Sequence, residues 1–425
     1  MRLALVLAAV AALQQPGSDR DELRRLQKEA LAAHQRKDVT AFLELSRALQ
    51  QKLPRSNRAL YNVACAEALA GNAAEAVRVL NRLAARGVAY DIAADADFDA
   101  IRSDTGFVSA AARMKALDEP VGSGTPAFTL ADKTLITEGI AHDPKRGDFF
   151  VSSVHRRKIV RVAKDGRASD FTRPEHGLFS MIGLAVDPRR DSLWASSQAS
   201  KNMADFKGEK GSFVAEFDLA TGALRRKLGP PASLPDAALS DIALGPNGEL
   251  AVADPASGRV YLLAAGASEL EVLIDRGAID SAQGMAFTPD GRFLFVADYG
   301  QGVVKVDVRA RSARLLDTAV DAALTGIDGL VWADGSLVGI QNGIRPHRVV
   351  RLKLDDRLER IEDVTVLERR NPHFDEPTLG VRVGAELFYV ASSQYEAIRQ
   401  DGSLDLERLK PPVILKTRLP WLTAR

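Results

Sequence analysis

The feature that most restricts how this chain can fold is a motif that occurs six times between residue 127 and the C-terminus. The copy at Ser281–Gly300, SAQGMAFTPDGRFLFVADYG, shows its parts. Gln283-Gly284 opens it, an apolar run follows to Phe287, Pro289–Gly291 makes a tight turn, and a second apolar run from Phe293 ends in Asp298. That order reads as strand, turn, strand. Counterparts begin at Glu138 (EGIAHDPKRGDFFVSS), Ile182 (IGLAVDPRRDSLWASS), Ser240 (SDIALGPNGELAVAD), Asp328 (DGLVWADGSLVGIQN) and Glu376 (EPTLGVRVGAELFYVASS). The marker positions Gly139, Gly183, Asp241, Gly284, Gly329 and Pro377 are 44, 58, 43, 45 and 48 residues apart, and the long interval contains the polar insert Lys201–Gly211. A unit of about 44 residues holds four short strands, the size of one propeller blade. One such sheet cannot bury both its faces, but six around an axis can. Ala127–Ala131 stands where other units have their fourth strand, and the last copy ends after a third, in Pro412–Leu419. The N-terminal strand is therefore expected to complete the last blade and pair the two open edges.

A chain of 425 residues has room for a second domain. Residues from about 19 to 86 read as two helix pairs, Asp19–Lys37 with Val39–Leu53 and Ser56–Ala70 with Ala73–Arg86. A shift of 34 residues superimposes Leu26 on Leu60, Ala30 on Ala64, Ala32 on Ala66 and Leu49 on Leu83. This pattern resembles tetratricopeptide repeats. Ala94–Leu117 reads as a helical cap, and Asp118–Pro126 (DEPVGSGTP) as a linker. The expected fold is thus multidomain: a signal peptide at 1–17, a tetratricopeptide-like α-helical domain at 18–117, a linker at 118–126 and a six-bladed β-propeller at 127–425.

The signal peptide is expected from Met1-Arg2 followed by the apolar run Leu3–Leu13 and then Pro16-Gly17, which predicts a periplasmic or secreted protein. No later apolar run is long enough to span a bilayer. A formal net charge of +1 gives no basis for nucleic-acid binding or an anionic membrane surface. Cys65, the single cysteine, reads as a small buried residue of a helix. No histidine pair has metal-ligand spacing, and no nucleophile elbow or phosphate loop is present.

In a propeller the innermost strands all start at the same face, so the residues preceding them converge on the central channel. Here these are Glu138, Met181-Ile182, Ser240-Asp241, Gln283, Asp328 and Glu376. The turns leaving the second strands return to that face with Ser153, Ser197, Asp254, Asp298, Asn342 and Ser393. Crowded carboxylates repel one another, and a divalent cation is the simplest neutraliser. Asp254 and Asp298, in the recurring VAD ending, are instead expected to bond turn amides.

At these residues the propeller resembles the senescence-marker-protein/gluconolactonase, or regucalcin-like, family. The resemblance rests on the Glu-Gly of blade one, the Asp-Gly of blade five and the Pro-Asp-Gly turn with Val-Ala-Asp in blade four. It implies a six-bladed, metal-dependent lactonase, with the metal on Glu138 (TEGIA), Gln283 (AQGMAFTPDG) and Asp328 (IDGLVW). Glutamine stands where the family has asparagine, and Ser240-Asp241 where it commonly has Asn-Asp. Asp241 is the expected general base. Asn342, Arg345, His155 and Glu376 are expected to orient a small-molecule substrate. The expected ion is calcium, with zinc, manganese or magnesium as alternatives. A second reading remains open: a non-catalytic propeller that binds a ligand or protein at the same mouth, with the helical repeats recruiting a protein partner.

Overall fold

The structure, a computed structural model, describes residues 18–422; the expected signal peptide lies outside them. Each repeat forms one blade of four antiparallel strands, and in blade five the short strand Asp317–Thr318 adds parallel to Arg360–Arg369 as a fifth. Blade one is Thr137–His142, Phe149–Ser153, Lys158–Val162 and Ala168–Asp170, and blades two to five begin at Ser180, Ile242, Ala282 and Ile327. Blade six takes Gly380–Val383, Glu386–Val390 and Val413–Arg418 from the C-terminal end and Thr125–Thr129 from before blade one. That last strand pairs antiparallel with Val413–Arg418, with Thr125 opposite Lys416. The ring closes as the repeat count requires. First strands of consecutive blades touch all the way round, including blade six on blade one.

Blade-to-blade burial holds the ring together. A separate apolar cluster fills each of the six junctions: Phe150 with Leu193 between blades one and two, Trp194 with Tyr261 between two and three, and so on to Val151 with Ile414 between six and one. This explains why the second strands are buried along most of their length. Leu250–Asp254 and Ser336–Gln341 are buried at every position because both of their faces meet a neighbouring blade. Asp254 and Asp298 accept turn N–H groups, from Ala256 and Ser257 and from Asp280 and Gly300, as their place in the repeat predicts.

The N-terminal part consists of α1 (Ser18–Gln35), α2 (Val39–Lys52), α3 (Asn57–Leu69), α4 (Ala73–Ala85) and α5 (Thr105–Ala116). Asp38, Ser56 and Asp104 cap α2, α3 and α5 by accepting from the N–H three residues on. Leu26, Ala30, Leu49, Leu60, Ala64, Ala66 and Leu83 lie in one core, as the internal superposition predicts. The exception is Ala32, which is only partly buried; Ala33 is fully buried one position later.

The helices dock on blade five, on the face where second strands end. Val88 and Tyr90 pack against Ala323 and Ile344. The Ala89 N–H donates to the Arg345 carbonyl at 2.7 Å, and Arg82 and Arg86 hold Asp321. Arg348, 2% exposed, binds Gln341 Oε1 at 2.7 Å, the Ala323 carbonyl at 3.1 Å and the carbonyls of Arg86 and Gly87 at 3.3 Å. Those two carbonyls end α4, where unpaired C=O groups favour a cation. Gly87 is required: its φ is +74°, and Arg348 Nη1 occupies the place of a Cβ. The linker is also held. Val121 exchanges backbone hydrogen bonds with Arg369, and the Gly124 N–H donates to the buried Glu368 at 2.8 Å. Arg348→Ala would orphan several buried carbonyls, at about 3 kcal/mol or more. Calorimetry of that variant should show the helical part melting before the propeller; one unsplit transition would show that the contact does not couple them.

Candidate functional site

Four of the six first strands are irregular at the end where the carboxylates sit. Pairing with the second strand slips between Thr137 and Ile140, Met181 and Leu184, Ala282 and Met285, and Ile327 and Gly329. A bulge re-aims a side chain and frees backbone groups. Here it frees the N–H of Gly139 and Gly183, which donate to Ser152 Oγ at 2.7 Å and Ser196 Oγ at 2.9 Å. Ser152 Oγ then donates to the Ile182 carbonyl of the next blade at 2.7 Å. The glycines make the ring tight. A Cβ on Gly183 would lie 2.7 Å from Ile242 N, and one on Gly329 would lie 2.6 Å from the Thr378 carbonyl oxygen. The recurring acid-glycine pair therefore has two tasks, a side chain for the channel and a bare backbone for the neighbouring blade.

The side chains so placed are Glu138, Asp241 and Asp328, only 7%, 3% and 8% exposed, with Glu376 partly buried beside them. Burial raises the pKa of all four. Repulsion from Asp328 adds to the rise at Glu138, Asp241 and Glu376. Asp328 is pushed up to about 6 and Glu376 to about 7, while Glu138 and Asp241 go well above the carboxylate range. Charges felt between residues more than 200 positions apart show that the blades bring these groups together.

Three carboxylate oxygens at this point, Glu138 Oε2, Asp241 Oδ2 and Glu376 Oε2, are buried without any hydrogen-bond partner. Buried acceptors are normally satisfied, so three orphans around one channel call for an explanation; among the described residues no three carboxylates there bring ligand atoms within 4.8 Å of one another. Two non-glycine residues with left-handed backbone also stand here. Glu376 has φ +60°, and Ile136, two residues before Glu138, has φ +48°. Left-handed backbone is uncommon for a non-glycine residue and an outlier for a β-branched one, and such strain persists where the surroundings enforce it.

The expected residues are placed as follows. Asn342 Nδ2 donates to Asp328 Oδ2 at 2.6 Å. Gln283 Nε2 donates to Ser281 Oγ at 3.2 Å, which leaves its amide oxygen as the ligand-capable end. Arg345 reaches the group electrostatically, opposing the rise at Glu376 and at Tyr299, while its guanidinium contacts the His347 ring and Glu396. His155 Nδ1 lies 2.8 Å from the Asn202 carbonyl, in the long connection of blade two. Ser153 and Ser197 serve the loops, through the Leu135 carbonyl and the Phe179 N–H.

Two tyrosines belong to the site and escaped the sequence reading. Tyr299 donates to Asn342 Oδ1 at 2.9 Å, and the buried Tyr395 lies near Glu138, whose charge adds to the rise of its pKa. Tyr299 directly follows the second strand of blade four, so the rule that selected Asn342 could have found it; Tyr395 lies in the long connection of blade six, which the repeat does not predict.

A tighter polar group lies in the helices: ligand atoms of Cys65, Asp95 and Asp97 are within 4.8 Å of one another. It is internally satisfied. Tyr61 donates to Asp95 at 2.6 Å, His34 Nε2 lies 2.9 Å from Asp97, and burial with the two aspartates keeps the Cys65 thiol protonated. Cys65 is the buried helix residue expected.

No family model and no curated protein matches the chain. Similar solved structures include a gluconolactonase from Xanthomonas campestris (16% identity, TM-score 0.48, covering 71% of this chain and 99% of that one). Regucalcin, a calcium-binding protein from Agrobacterium tumefaciens, is similar at 19% identity and TM-score 0.48, with 69% and 93% covered. Virginiamycin B lyase from Staphylococcus aureus is similar at 11% identity and TM-score 0.47, with 68% and 97% covered. These three descriptions differ from one another, so the functional reading rests on the residues at the mouth of this chain.

Proposed function

We propose that the propeller mouth is a divalent-cation-dependent hydrolase site that opens a lactone or a similar ester. The observation that carries this reading is the set of three buried, unpartnered carboxylate oxygens beside Asp328. Burial and mutual repulsion push these carboxylates toward protonation, Arg345 opposes this only at Glu376, and every donor present is an oxygen. That set fits a hard ion, calcium first, with magnesium, manganese or zinc compatible. Glu138, Asp328 and the amide oxygen of Gln283 would hold it. When bound, the ion polarises the ester carbonyl and lowers the pKa of water.

The remaining work falls to the chain. Burial and the Asp328 charge bias the Asp241 carboxyl toward protonation; beside a bound cation it would act in its ionised form. Its free Oδ2 takes a proton from the attacking water as the hydroxyl adds to the acyl carbon. The acyl–oxygen bond breaks, and Asp241 returns that proton to the departing alkoxide. Tyr299 holds Asn342 by its amide oxygen, so the Asn342 nitrogen must face Asp328 and fix its orientation. Glu376 and Arg345 orient the substrate on the blade-five and blade-six side of the mouth.

The test is hydrolysis of a panel of lactones and aryl esters by the full chain after chelation, with calcium, zinc, manganese or magnesium restored singly. Turnover should vanish with chelator and return with one ion. Turnover that persists through chelation would overturn the metal role, and its absence with every ion would leave a ligand-binding mouth.

A further inference from the structure

Two connections between second and third strands depart from the repeat. This connection spans 154–157 in blade one, 255–258 in blade three and 299–301 in blade four, but 199–211 in blade two and 391–412 in blade six. Blades two and six flank blade one on the ring. Their long connections meet above its short turn: the place of a Cβ on Gly402, at φ +84°, is taken by the Lys201 carbonyl oxygen. The Ala204 N–H donates to the His155 carbonyl at 2.8 Å, which seats the blade-two segment on that turn.

A cavity of about 510 Å³ lies beneath this arch, with His155 and Arg156 among its lining. Phe206, from one connection, and Leu406, from the other, also line it, and they are 39% and 53% exposed. Among the described residues only four large apolar side chains are that exposed, so half of them face one cavity. Met203 and Leu404 extend the apolar part of the lining, and Arg156, Lys201, Asp205 and Asp401 make the rest of the rim charged. The cavity adjoins the mouth. Leu404 packs in the same small cluster as Ile136 and Tyr395, and Ile136 stands two residues before Glu138.

We propose that this cavity is the subsite for an alkyl substituent on the ester or lactone opened at the mouth; the assignment rests on the hydrolase reading above. Water-exposed Phe and Leu gain about 25 cal/mol per Å² when an apolar group covers them. Exposed apolar surface gathered in one concavity from two separate insertions marks a binding site rather than incidental exposure. A polyhydroxylated substituent would gain nothing from Phe206 and Leu406.

The test uses the full chain and γ-lactones carrying alkyl chains of increasing length, alongside 2-alkylcyclopentanones, which have the same shape but no ester bond to break. For the lactones, kcat/KM should rise about threefold per added methylene until the cavity is full. Calorimetric affinity for the ketones should rise in parallel. In the double variant Phe206→Ser, Leu406→Ser both slopes should flatten, and the ratio of kcat/KM for long-chain over unsubstituted lactone should fall to about one. Turnover without any chain-length dependence, with flat ketone affinities, would overturn the subsite and leave the hydrolase intact. Ketone affinity that rises with length in the native chain and not in the double variant, with no lactone turned over, would uphold the apolar subsite and overturn the hydrolase.

Discussion

Asp328→Ala should abolish calcium binding and lower ester turnover by about a thousandfold or more, while the propeller stays folded. Asp328 is the residue whose charge is felt by Glu138, Asp241 and Glu376 together, so removing it withdraws both a ligand and the hub of the repulsion. The sharper consequence concerns stability. The folded-state pKa of Asp328 is about 6, against an ordinary 3.8, so the folded form keeps a proton that the unfolded chain gives up. Below about pH 4 both forms are protonated and the group has no effect. As pH rises through about 6 the fold loses on the order of 3 kcal/mol, and Glu376, at about 7, continues the loss. Chelated protein should therefore melt at progressively lower temperature between pH 4 and pH 7. Asp328→Asn should weaken that decline and melt higher than the native chain at pH 7 without calcium. Added calcium should stabilise the native chain and leave the variant unchanged. A metal-free variant that melts well below the native chain would show that Asp328 is there to hold the fold.

Gly139→Ala should be among the most damaging single methyl additions in the propeller. The new Cβ would sit closer than 3.0 Å to the Ile182 carbonyl oxygen, which is backbone of the next blade's first strand and accepts from Ser152. Neither partner can swing aside as a side-chain tip could. Relief requires blades one and two to separate, which opens the packed Phe150–Leu193 junction. The expected loss is about 3 kcal/mol or more, read as a drop in denaturant midpoint. Gly229→Ala, where a Cβ meets nothing within 4 Å, is the matched control and should be close to neutral. Equal effects at the two positions would mean that blade contact does not explain the glycine.

What the sequence by itself determined is the architecture. Six recurrences of strand, turn and strand at about 44 residues left one way to bury every sheet face, and a missing fourth strand at one end matched a spare strand at the other. The acid-glycine pairs were legible for the same reason: hydrogen bonding and burial repeat with the chain, so position within the repeat tells which residue faces the axis. The turn roles of Asp254 and Asp298 were equally local.

Only the tertiary structure decided which of these residues act on one another. The rise at Glu138 depends on Asp328, 190 positions away in sequence and near in space. Tyr395 reaches Glu138 from a segment with no counterpart in the repeat, and His155 has a place in the repeat yet turns to the arch. The helices could have docked anywhere; Arg348 and the end of α4 place them on the rim that carries Arg345. Electrostatic coupling, unpartnered buried oxygens and docking depend on separation through space. A repeat predicts such separations only for residues that share its period, and the insertions and the helical part do not.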